Sequence, residues 1–332
     1  MKIGIFKGFS SAQTKLAADA CKDLGIEYEI VDILSSDWID NIKQSGCDGF
    51  YCMSTCASIE KKQILDERYF FVSQLMGYPI YPNYLGLFIH ENKRNMAAWL
   101  EYNGYPLTPT KVFTDKNEAC AYFDKCAYPL VFKANLGSAA SKVRIIRTRA
   151  QARRFTRHVF PKDGIALLNV GKIYSTKTHG IKVPDLSSPQ KDYLIVQEYK
   201  DIIHEWRIIK IGDSYFGHQK LLKGNFASGS GRVGWVAPPR ELLLLVKDIC
   251  EKGKFPCMDV DIFETKDHQY FINELQTSFG SYADSQMYID GKPGRYKYVN
   301  GEFVFEEGFF NTFGSSRLKL EHFASILKKT TK

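Results

Sequence analysis

The chain contains the stretch Met258-Asp259-Val260-Asp261-Ile262-Phe263-Glu264 and, after a short charged turn, Tyr270-Phe271-Ile272-Asn273-Glu274-Leu275-Gln276. The two stretches predict neighbouring strands of a hairpin. Alternate residues of a strand share a face, so Glu274 and Gln276 point the same way and Asp261 can face them from the next strand. Three oxygen ligands would then converge, a set that suits Mg²⁺. The alternative is a solvated hairpin with incidental acids, and the sequence alone does not separate Asp261 from Asp259 and Glu264.

A second informative segment ends in a lysine. The apolar run Tyr128-Pro129-Leu130-Val131-Phe132 leads into Lys133, and the small residues Gly137-Ser138-Ala139-Ala140-Ser141 follow. A lysine leaving a buried strand favours an anionic partner, because an isolated buried ammonium is costly. Small residues in the turn would let backbone N–H groups approach phosphate oxygens. A lysine that merely extends to solvent is the alternative.

A third segment combines a strand with cations. The strand at 193–199 ends in an extended edge, which offers the backbone donor and acceptor that adenine needs. Arg207 follows it, and a guanidinium supplies a planar fork for a phosphate that changes geometry during transfer. Lys220 lies at the end of the next predicted hairpin strand. A surface ion pair between Arg207 and Glu205 is the alternative.

Composition limits the classes of protein to consider. The 332 residues are 44% hydrophobic and 25% charged, as in ordinary globular proteins, and no apolar run is long enough to span a bilayer. The net charge is +8, yet residues 1–90 carry 8 Lys/Arg against 11 Asp/Glu, which leaves +11 for the remainder. The basic part therefore favours an anionic ligand. Because the basic residues are dispersed rather than gathered on one helix or arm, we expect bound phosphates and no nucleic acid.

The start of the chain and its cysteines bear on its location. The first residues predict a short strand meeting a glycine turn rather than a signal peptide. The eight cysteines are scattered, and Cys52 and Cys56 have neither a redox spacing nor partners for zinc. We therefore expect reduced cysteines, no insertion into a membrane and a cytoplasmic protein.

The pattern of apolar runs predicts an α/β protein with three parts. Residues 1–85 alternate strands with helices, which indicates βαβ units and a parallel sheet. Residues 86–192 have an α+β pattern and end in an irregular, glycine- and proline-containing insertion at 159–192. Strands dominate again in residues 193–332, together with a helix at 240–252.

These segments, in this order, resemble the ATP-grasp superfamily, and within it the branch of the ribosomal-protein glutamate ligase and glutathione synthetase. The resemblance covers nearly the whole chain. It implies an ATP-grasp fold: residues 1–85 would be the N-terminal pre-ATP-grasp domain, 86–192 the small lobe, and 193–332 the large lobe with the metal site.

The resemblance also implies roles for individual residues. Lys93, in Asn92-Lys93-Arg94-Asn95-Met96, looks like the first ATP lysine, and Lys133 matches the second. The other positions implied to bind nucleotide are Gly137, Ser138 and Ser141 in the phosphate loop, Glu198 and Tyr199 at the adenine hinge, and Glu205 at the ribose.

Three cations and three oxygen ligands complete the implied site. Arg207 falls near the transferred phosphate, Lys220 would help to neutralise it, and Arg232 in the glycine-containing segment 227–232 could contact substrate. The implied metal ligands are Asp261, Glu274 and Gln276. The family motif ends Glu-x-Asn, so Gln276 keeps the amide oxygen but places it one methylene farther out.

The activity implied by the resemblance is ATP-dependent carboxylate-amine ligation. A carboxylate would take the γ-phosphoryl group of ATP, and an amine would attack the acyl phosphate to give an amide, ADP and phosphate. The cofactors would be ATP and two Mg²⁺ ions, with Mn²⁺ as a substitute. Small-molecule carboxylate and amine substrates are implied, such as an amino acid joined to a small acid, a sugar acid or a peptide, and so is a homo-oligomer. An ATP-grasp kinase that stops at phosphoryl transfer, or a non-catalytic ATP-binding protein, stays open as an alternative.

Overall fold

The computed structural model describes residues 1–56, 58–137, 143–160, 190–227, 231–279 and 283–330. Two residues of the predicted phosphate loop, Ser138 and Ser141, lie outside the described residues. Most of the predicted insertion, residues 161–189, also lies outside them.

The N-terminal part is a parallel sheet with helices, as the alternation of strands and helices predicts. Its four strands run in the order β2-β1-β3-β4. The strands are β1 (Lys2–Phe6), β2 (Glu27–Val31), β3 (Gly49–Tyr51) and β4 (Ile80–Tyr81). The helices are α1 (Ser11–Asp23), α2 (Trp38–Ser45) and α3 (Ile59–Phe70), which continues into a π-helical turn at Phe71–Leu75.

Two helices connect this sheet to the rest of the molecule. They are α4 (Tyr84–Ile89) and α5 (Lys93–Tyr102). The side chain of Asn92 caps α5 by accepting from the Asn95 N–H, which fixes Lys93 as the first residue of the helix. Met96 and Leu100 of α5 are buried in the core of the large sheet described below. Helix α5 therefore fixes Lys93 relative to that sheet.

The small lobe is a four-stranded antiparallel sheet in the order β5-β8-β6-β7. Its strands are β5 (Thr110–Phe113), β6 (Leu130–Lys133), β7 (Val143–Ile146) and β8 (Leu194–Glu198). Helices α6 (Lys116–Phe123) and α7 (Arg149–Val159) cover it. Strand β8 pairs with β5 and β6, so the small sheet extends six residues beyond the boundary at 192 that the sequence suggested.

The large lobe is an eight-stranded sheet whose central order is β13-β12-β9-β10-β15-β14. The strands are β9 (Ile202–Ile211), β10 (Ser214–Leu221), β11 (Val233–Gly234), β12 (Cys257–Thr265), β13 (Tyr270–Gln276), β14 (Tyr288–Ile289), β15 (Lys292–Val299) and β16 (Glu302–Glu307). Helix α8 (Arg240–Lys252) packs on one face, where Trp206, Ile208, Val260 and Ile262 are buried. The opposite face carries polar side chains around Arg207 and Asp261 and apolar ones, such as Ile209 and Cys257, toward the other end of the strands.

The last helix, α9 (Ser316–Thr330), returns to the N-terminal domain. Its residues Leu320 and Phe323 share a buried core with Ala17 and Cys21 of α1 and with Ile209 of the large sheet. The chain end thus fastens the first domain to the large lobe. Among the described residues, none of the helices combines the length and apolar composition that a membrane crossing requires.

Candidate active site

The polar face of the large sheet is built from alternate residues of adjacent strands. Asp261 of β12 lies between Arg207 of β9 on one side and Glu274 of β13 on the other. Asp259 is paired in the same way with Gln276. Glu274 and Gln276 therefore face the same side as Asp261, as the alternation predicts, because cross-strand partners share a face.

A β-bulge on β13 changes which side chains reach this face. Asp261 is opposite Glu274, but Ile262 is opposite Ile272, so Asn273 is the extra residue. The bulge lets two consecutive polar residues, Asn273 and Glu274, avoid the apolar face where Ile272 is buried. Bulges commonly re-aim side chains beside functional sites.

Arg207 and the two aspartates form a buried ion cluster. Arg207 Nε lies 3.0 Å from Asp259 Oδ2 and 3.1 Å from Asp261 Oδ1, while Nη2 donates to Asp261 Oδ2 at 3.2 Å. Lys220 Nζ adds a contact of 2.8 Å to Asp261 Oδ2. The alternative of a surface ion pair between Arg207 and Glu205 is wrong, because Glu205 is fully buried and Arg207 is directed at the aspartates.

The pKa values of the two aspartates are shifted in opposite directions. Burial raises the pKa of Asp261, but the charges of Arg207 and Lys220 outweigh it and hold that pKa well below its usual value. Burial raises the pKa of Asp259 to about 8, against the attraction of Arg207. One carboxylate of the cluster is thus firmly ionised at neutral pH while its neighbour can keep a proton.

A chain of hydrogen bonds joins the small lobe to this cluster. Lys133 Nζ, at the end of β6, donates to Asn273 Oδ1 at 2.7 Å, and Asn273 Nδ2 donates to Glu205 Oε2 at 2.8 Å. Glu205 is ion-paired in turn with Lys220. Burial lowers the pKa of Lys133 to about 8, and the nearby charge of Lys93 contributes. Lys133 forms no ion pair with a carboxylate of the described residues.

Lys93 fixes the other corner of the site. Its Nζ lies 3.2 Å from Glu274 Oε1 and donates to the Gly137 carbonyl oxygen at 3.2 Å. The Gly137 N–H donates to Glu91 Oε2 at 3.2 Å. The first residue of α5 therefore contacts both Glu274, an implied metal ligand, and Gly137, the first residue of the predicted phosphate loop.

The structure distinguishes Glu264 from Asp259 and Asp261, which the sequence alone does not. Glu264 accepts from Trp206 Nε1 at 2.8 Å and lies 2.9 Å from His204 Nε2 and 2.7 Å from His268 Nδ1. It is paired with His204 and Tyr270 on the face opposite to Asp261. Glu264 is therefore excluded from the polar cluster, whereas Asp259 belongs to it.

A cleft of about 100 Å³ opens between the small and large sheets. Its polar lining comes from Lys93, Lys133, Gly137, Glu205 and Glu274. Its apolar lining comes from Val131, Val143, Ile145, Ile202 and Phe263. Apolar walls with a few polar groups are typical of a small-molecule site.

The remaining predicted residues differ in whether they line the cleft. Glu198 and Tyr199 line the cleft where β8 ends, as a hinge beside a base would require. Glu205 lines the cleft too, but its two oxygens are engaged by Lys220 and Asn273. Arg232 is exposed and donates to the Leu222 carbonyl oxygen at 3.4 Å. Its contact with a substrate stays a prediction.

The candidate oxygen ligands suit a Mg²⁺ ion whose coordination shell is completed by phosphate and water, rather than one enclosed by protein side chains alone. In the described part of the chain, no group of three or more His, Cys, Asp or Glu side chains is arranged to hold a metal. Mg²⁺ needs only one or two carboxylates when phosphate and water complete its shell. Asp261 and Glu274 are cross-strand neighbours, and Asp259 Oδ1 has no hydrogen-bond partner among the described residues, while its Oδ2 is ion-paired with Arg207. The donor set is therefore compatible with Mg²⁺.

Sequence reasoning missed three polar residues of this region. Asn273 was missed because strict alternation would turn it to the apolar face, and only the bulge reverses that. Glu91 is buried with a pKa raised by burial to about 7. His218 is buried with a pKa lowered by burial to about 4, and its Nδ1 lies 2.8 Å from the Gln286 carbonyl oxygen. The sequence feature that could have indicated His218 is a polar residue within a predicted strand, and that feature is weak evidence.

Comparison with known proteins gives relatives of one architecture. No model of a known protein family matches the chain. Over 219 residues it is 29% identical to the alpha-aminoadipate–LysW ligase LysX of Saccharolobus solfataricus, covering 62% of this chain and 68% of that protein.

Solved structures extend the likeness to almost the full length. The D-alanine–D-alanine ligase of Bacillus anthracis superposes with a TM-score of 0.57 at 15% identity, covering 99% of each chain. A RimK domain ATP-grasp protein of Sphaerobacter thermophilus gives 0.54 at 14% identity, covering 83% of this chain and 90% of that one. At these identities the likeness shows a shared fold, which confirms the fold class expected from the sequence.

Proposed function

We propose that this chain is an ATP- and Mg²⁺-dependent carboxylate-amine ligase of the ATP-grasp type that releases ADP. One observation carries the proposal. Lys133 of the small lobe and Lys93 of α5 line a single cleft together with Glu274 of the large sheet, and Lys93 Nζ lies 3.2 Å from Glu274 Oε1. Residues far apart in sequence thus supply both the cations for a triphosphate and the acids for its metal.

Each cation of the site has a distinct task in the proposed reaction. Lys133, whose ammonium donates to the amide oxygen of Asn273 and to no carboxylate of the described residues, binds the polyphosphate most directly. Lys93 binds it from the start of α5. Arg207 and Lys220 are held in place by Asp261 and so present fixed positive charge to the phosphoryl group in transfer. Preorganised charge in a desolvated site contributes several kcal/mol, on the order of 3, to such a step.

The metal would be held by Asp261 and Glu274, with the amide oxygen of Gln276 beside them. When bound, Mg²⁺ neutralises and orients the phosphate oxygens of the nucleotide. Lys93 then exchanges part of its contact with Glu274 for the phosphates. By the resemblance to the family, we propose two Mg²⁺ ions, with Mn²⁺ as a substitute.

The reaction proceeds in two balanced steps. A substrate carboxylate oxygen bonds to the γ-phosphorus as the bond to the bridging oxygen breaks, and ADP leaves with that oxygen. An amine nitrogen then bonds to the acyl carbon, phosphate leaves with the former carboxylate oxygen, and the amine loses a proton to solvent or base. No protein nucleophile is required, so positioning and charge account for the catalysis.

The substrates are proposed as a class. One relative is by its name an alpha-aminoadipate–LysW ligase, which supports a small carboxylate or amino acid together with an amine. Both would be small molecules or a peptide end.

The test is ADP release from ATP with a panel of carboxylates and amines, with Mg²⁺ and with excess EDTA. We expect ADP formation that requires the metal and the carboxylate, is raised by the amine, and is accompanied by an amide product in the mass spectrum. ADP with a phosphorylated product and no amide would identify a kinase instead. ATP binding without ADP from any member would identify a non-catalytic binding protein.

A matched pair of variants on one strand supplies the control. Asp261→Asn removes the charge that holds Arg207 and Lys220, so we expect turnover to fall at least about 100-fold. Glu264→Gln changes an acid of the same strand on the opposite face, and we expect turnover within about threefold of the parent protein. Equal losses in both would mean that the effect comes from the hairpin as a whole and not from the site.

A further inference from the structure

A second cavity, of about 580 Å³, lies between the N-terminal domain, the segment after β13, and the start of α9. Ser10 and Gln13 at the start of α1 form one wall, and Cys52 after β3 forms another. Thr277 and Lys319 line it from the large lobe and α9. It is separate in lining residues from the nucleotide cleft.

Lys319 is the unusual residue of this cavity because it is 4% exposed and lacks a counter-ion. Its Nζ donates to the carbonyl oxygens of Thr277 and Phe279 at 3.4 and 3.3 Å, and lies 3.6 Å from the centre of the Phe279 ring. It forms no ion pair with a carboxylate of the described residues. Carbonyl oxygens and a ring face stabilise an ammonium without neutralising it.

The partners of the other buried lysine ammonium groups show how this protein compensates a buried positive charge. Lys62 is equally buried, at 4%, and is paired with Asp66. Lys93 is paired with Glu274, and Lys220 with Asp261. Lys133, the one of this group with an amide partner, faces the cleft assigned to the triphosphate. A second unneutralised ammonium facing a second cavity indicates a second anionic ligand.

Other groups at the cavity suit an anion. Thr277 is fully buried, and its hydroxyl has no hydrogen-bond partner. The N-terminus of α1, capped by Ser10, opens onto the same space, as does that of α9 at Ser316. Helix N-termini favour negative charge, and a free hydroxyl can donate to it.

We propose that this cavity is the binding site of the carboxylate-bearing substrate, whose carboxylate is bound by the ammonium of Lys319 and the hydroxyl of Thr277. The inference rests on the proposed function, since it assigns a location and an anchor to one of the two substrates. It also assigns a class, a small organic anion. Burial lowers the pKa of Lys319, and a bound carboxylate would reverse that direction.

The position of Lys319 also relates the cavity to the reaction. Its Nζ donates to the carbonyl oxygen of Thr277. Thr277 directly follows Gln276, so the cavity begins where the proposed metal ligands end.

The experiment follows the lysine ammonium signals of ¹⁵N-lysine-labelled protein by NMR, with Mg²⁺ and a non-hydrolysable ATP analogue present. The probes are acetate, glutarate and L-glutamate, with acetamide and glutaramide as neutral counterparts. The Lys319 signal is assigned by its loss in Lys319→Arg. We expect at least one carboxylate to shift the Lys319 signal saturably, the amides to leave it unchanged, and the Lys62 signal to stay still as an internal control.

Variants separate binding from a structural role. In Lys319→Met we expect the dissociation constant of the active carboxylate to rise at least about tenfold, with partial recovery in Lys319→Arg and with the ATP analogue bound within twofold of the parent affinity. The inference is overturned if no carboxylate moves the Lys319 signal, if the amides move it equally, or if Lys319→Met weakens the nucleotide as much as the carboxylate. A failure of ATP binding in the parent protein would instead contradict the proposed function.

Discussion

At the scale of single residues, the candidate site is a set of charges that neutralise one another across strands. Asp261 contacts Arg207 and Lys220, and Glu274 contacts Lys93. Removing one member of a buried pair typically costs about 3–5 kcal/mol, because its partner is left buried and uncompensated. The site can therefore be disabled either by losing chemistry or by losing stability, and tests must separate the two.

Lys133 gives the site a pH dependence with a defined sign. Its pKa is lowered to about 8 by burial, and only the protonated ammonium attracts a triphosphate. We expect the affinity for ATP to be constant below that pH and to fall above it, approaching tenfold per pH unit. In Lys133→Arg, whose guanidinium stays charged, this fall should disappear. Calorimetric titration of a non-hydrolysable ATP analogue from pH 6.5 to 9.5 measures it.

The same titration has a clear contrary result. A parent protein whose affinity does not change up to pH 9.5 would mean that Lys133 keeps its proton or does not contact the nucleotide. A fall that persists in Lys133→Arg would assign the titration to another group.

Which side chains enter the site could be predicted in part. The residues singled out from their segments or from the resemblance fall in two connected groups. Lys93, Lys133 and Glu274 line the cleft, and Arg207, Lys220 and Asp261 form the ion cluster beside it. Their partners could not be predicted, because pairing depends on the register of β9, β12 and β13. The fully buried Glu205 illustrates this, since nothing in the sequence shows that Lys220 and Asn273 take both of its oxygens.

At the scale of elements, the bulge in β13 decides the shape of the site. It places Asn273 between Lys133 and Glu205, with distances of 2.7 and 2.8 Å. A strand of regular alternation would direct either Asn273 or Glu274 to the apolar core. The bulge is thus the feature that joins Lys133 of the small lobe to the ion cluster of the large lobe.

Replacing that amide tests the role of the bulge. In Asn273→Ala, Lys133 loses its acceptor and Glu205 a donor, so the lysine is no longer fixed. We expect KM for ATP to rise about tenfold with a smaller loss in kcat, in line with about 1–2 kcal/mol for a hydrogen bond to a charged group. Steady-state kinetics at varied ATP measures it. A normal KM in a folded Asn273→Ala protein would contradict the role assigned to the bulge.

Most elements before residue 276 could be predicted from periodicity, and those after it could not. The strands at 129–134, 257–264 and 269–275 were expected close to where they occur, because apolar runs and turn residues delimit them. Strands β14 to β16 are held by the pairing of Ser214 and Tyr215 with β15, some 80 residues away. Helix α9 packs on α1 at the other end of the chain. Such long-range partners leave no local signal.

At the scale of the whole molecule, the distribution of charge agrees with the position of the cleft. Residues 1–90 have more acidic than basic groups, and the remainder carries +11. The cations of the candidate site, Lys93, Lys133, Arg207 and Lys220, all belong to that remainder. The second cavity is lined by the N-terminal domain, through Ser10 and Cys52, and by the later part of the chain, through Thr277 and Lys319.

The account depends on one triphosphate being bound jointly by two lobes. The most direct measurement is calorimetric titration of a non-hydrolysable ATP analogue with Mg²⁺ into the parent protein, Lys133→Met, Glu274→Gln and the double variant, each checked for folding by circular dichroism. We predict binding by the parent and at least about a tenfold loss in each single variant. Because both groups act on the same ligand, the losses should not be independent, and the double variant should differ from their sum. Unchanged affinity in the folded double variant would contradict the account.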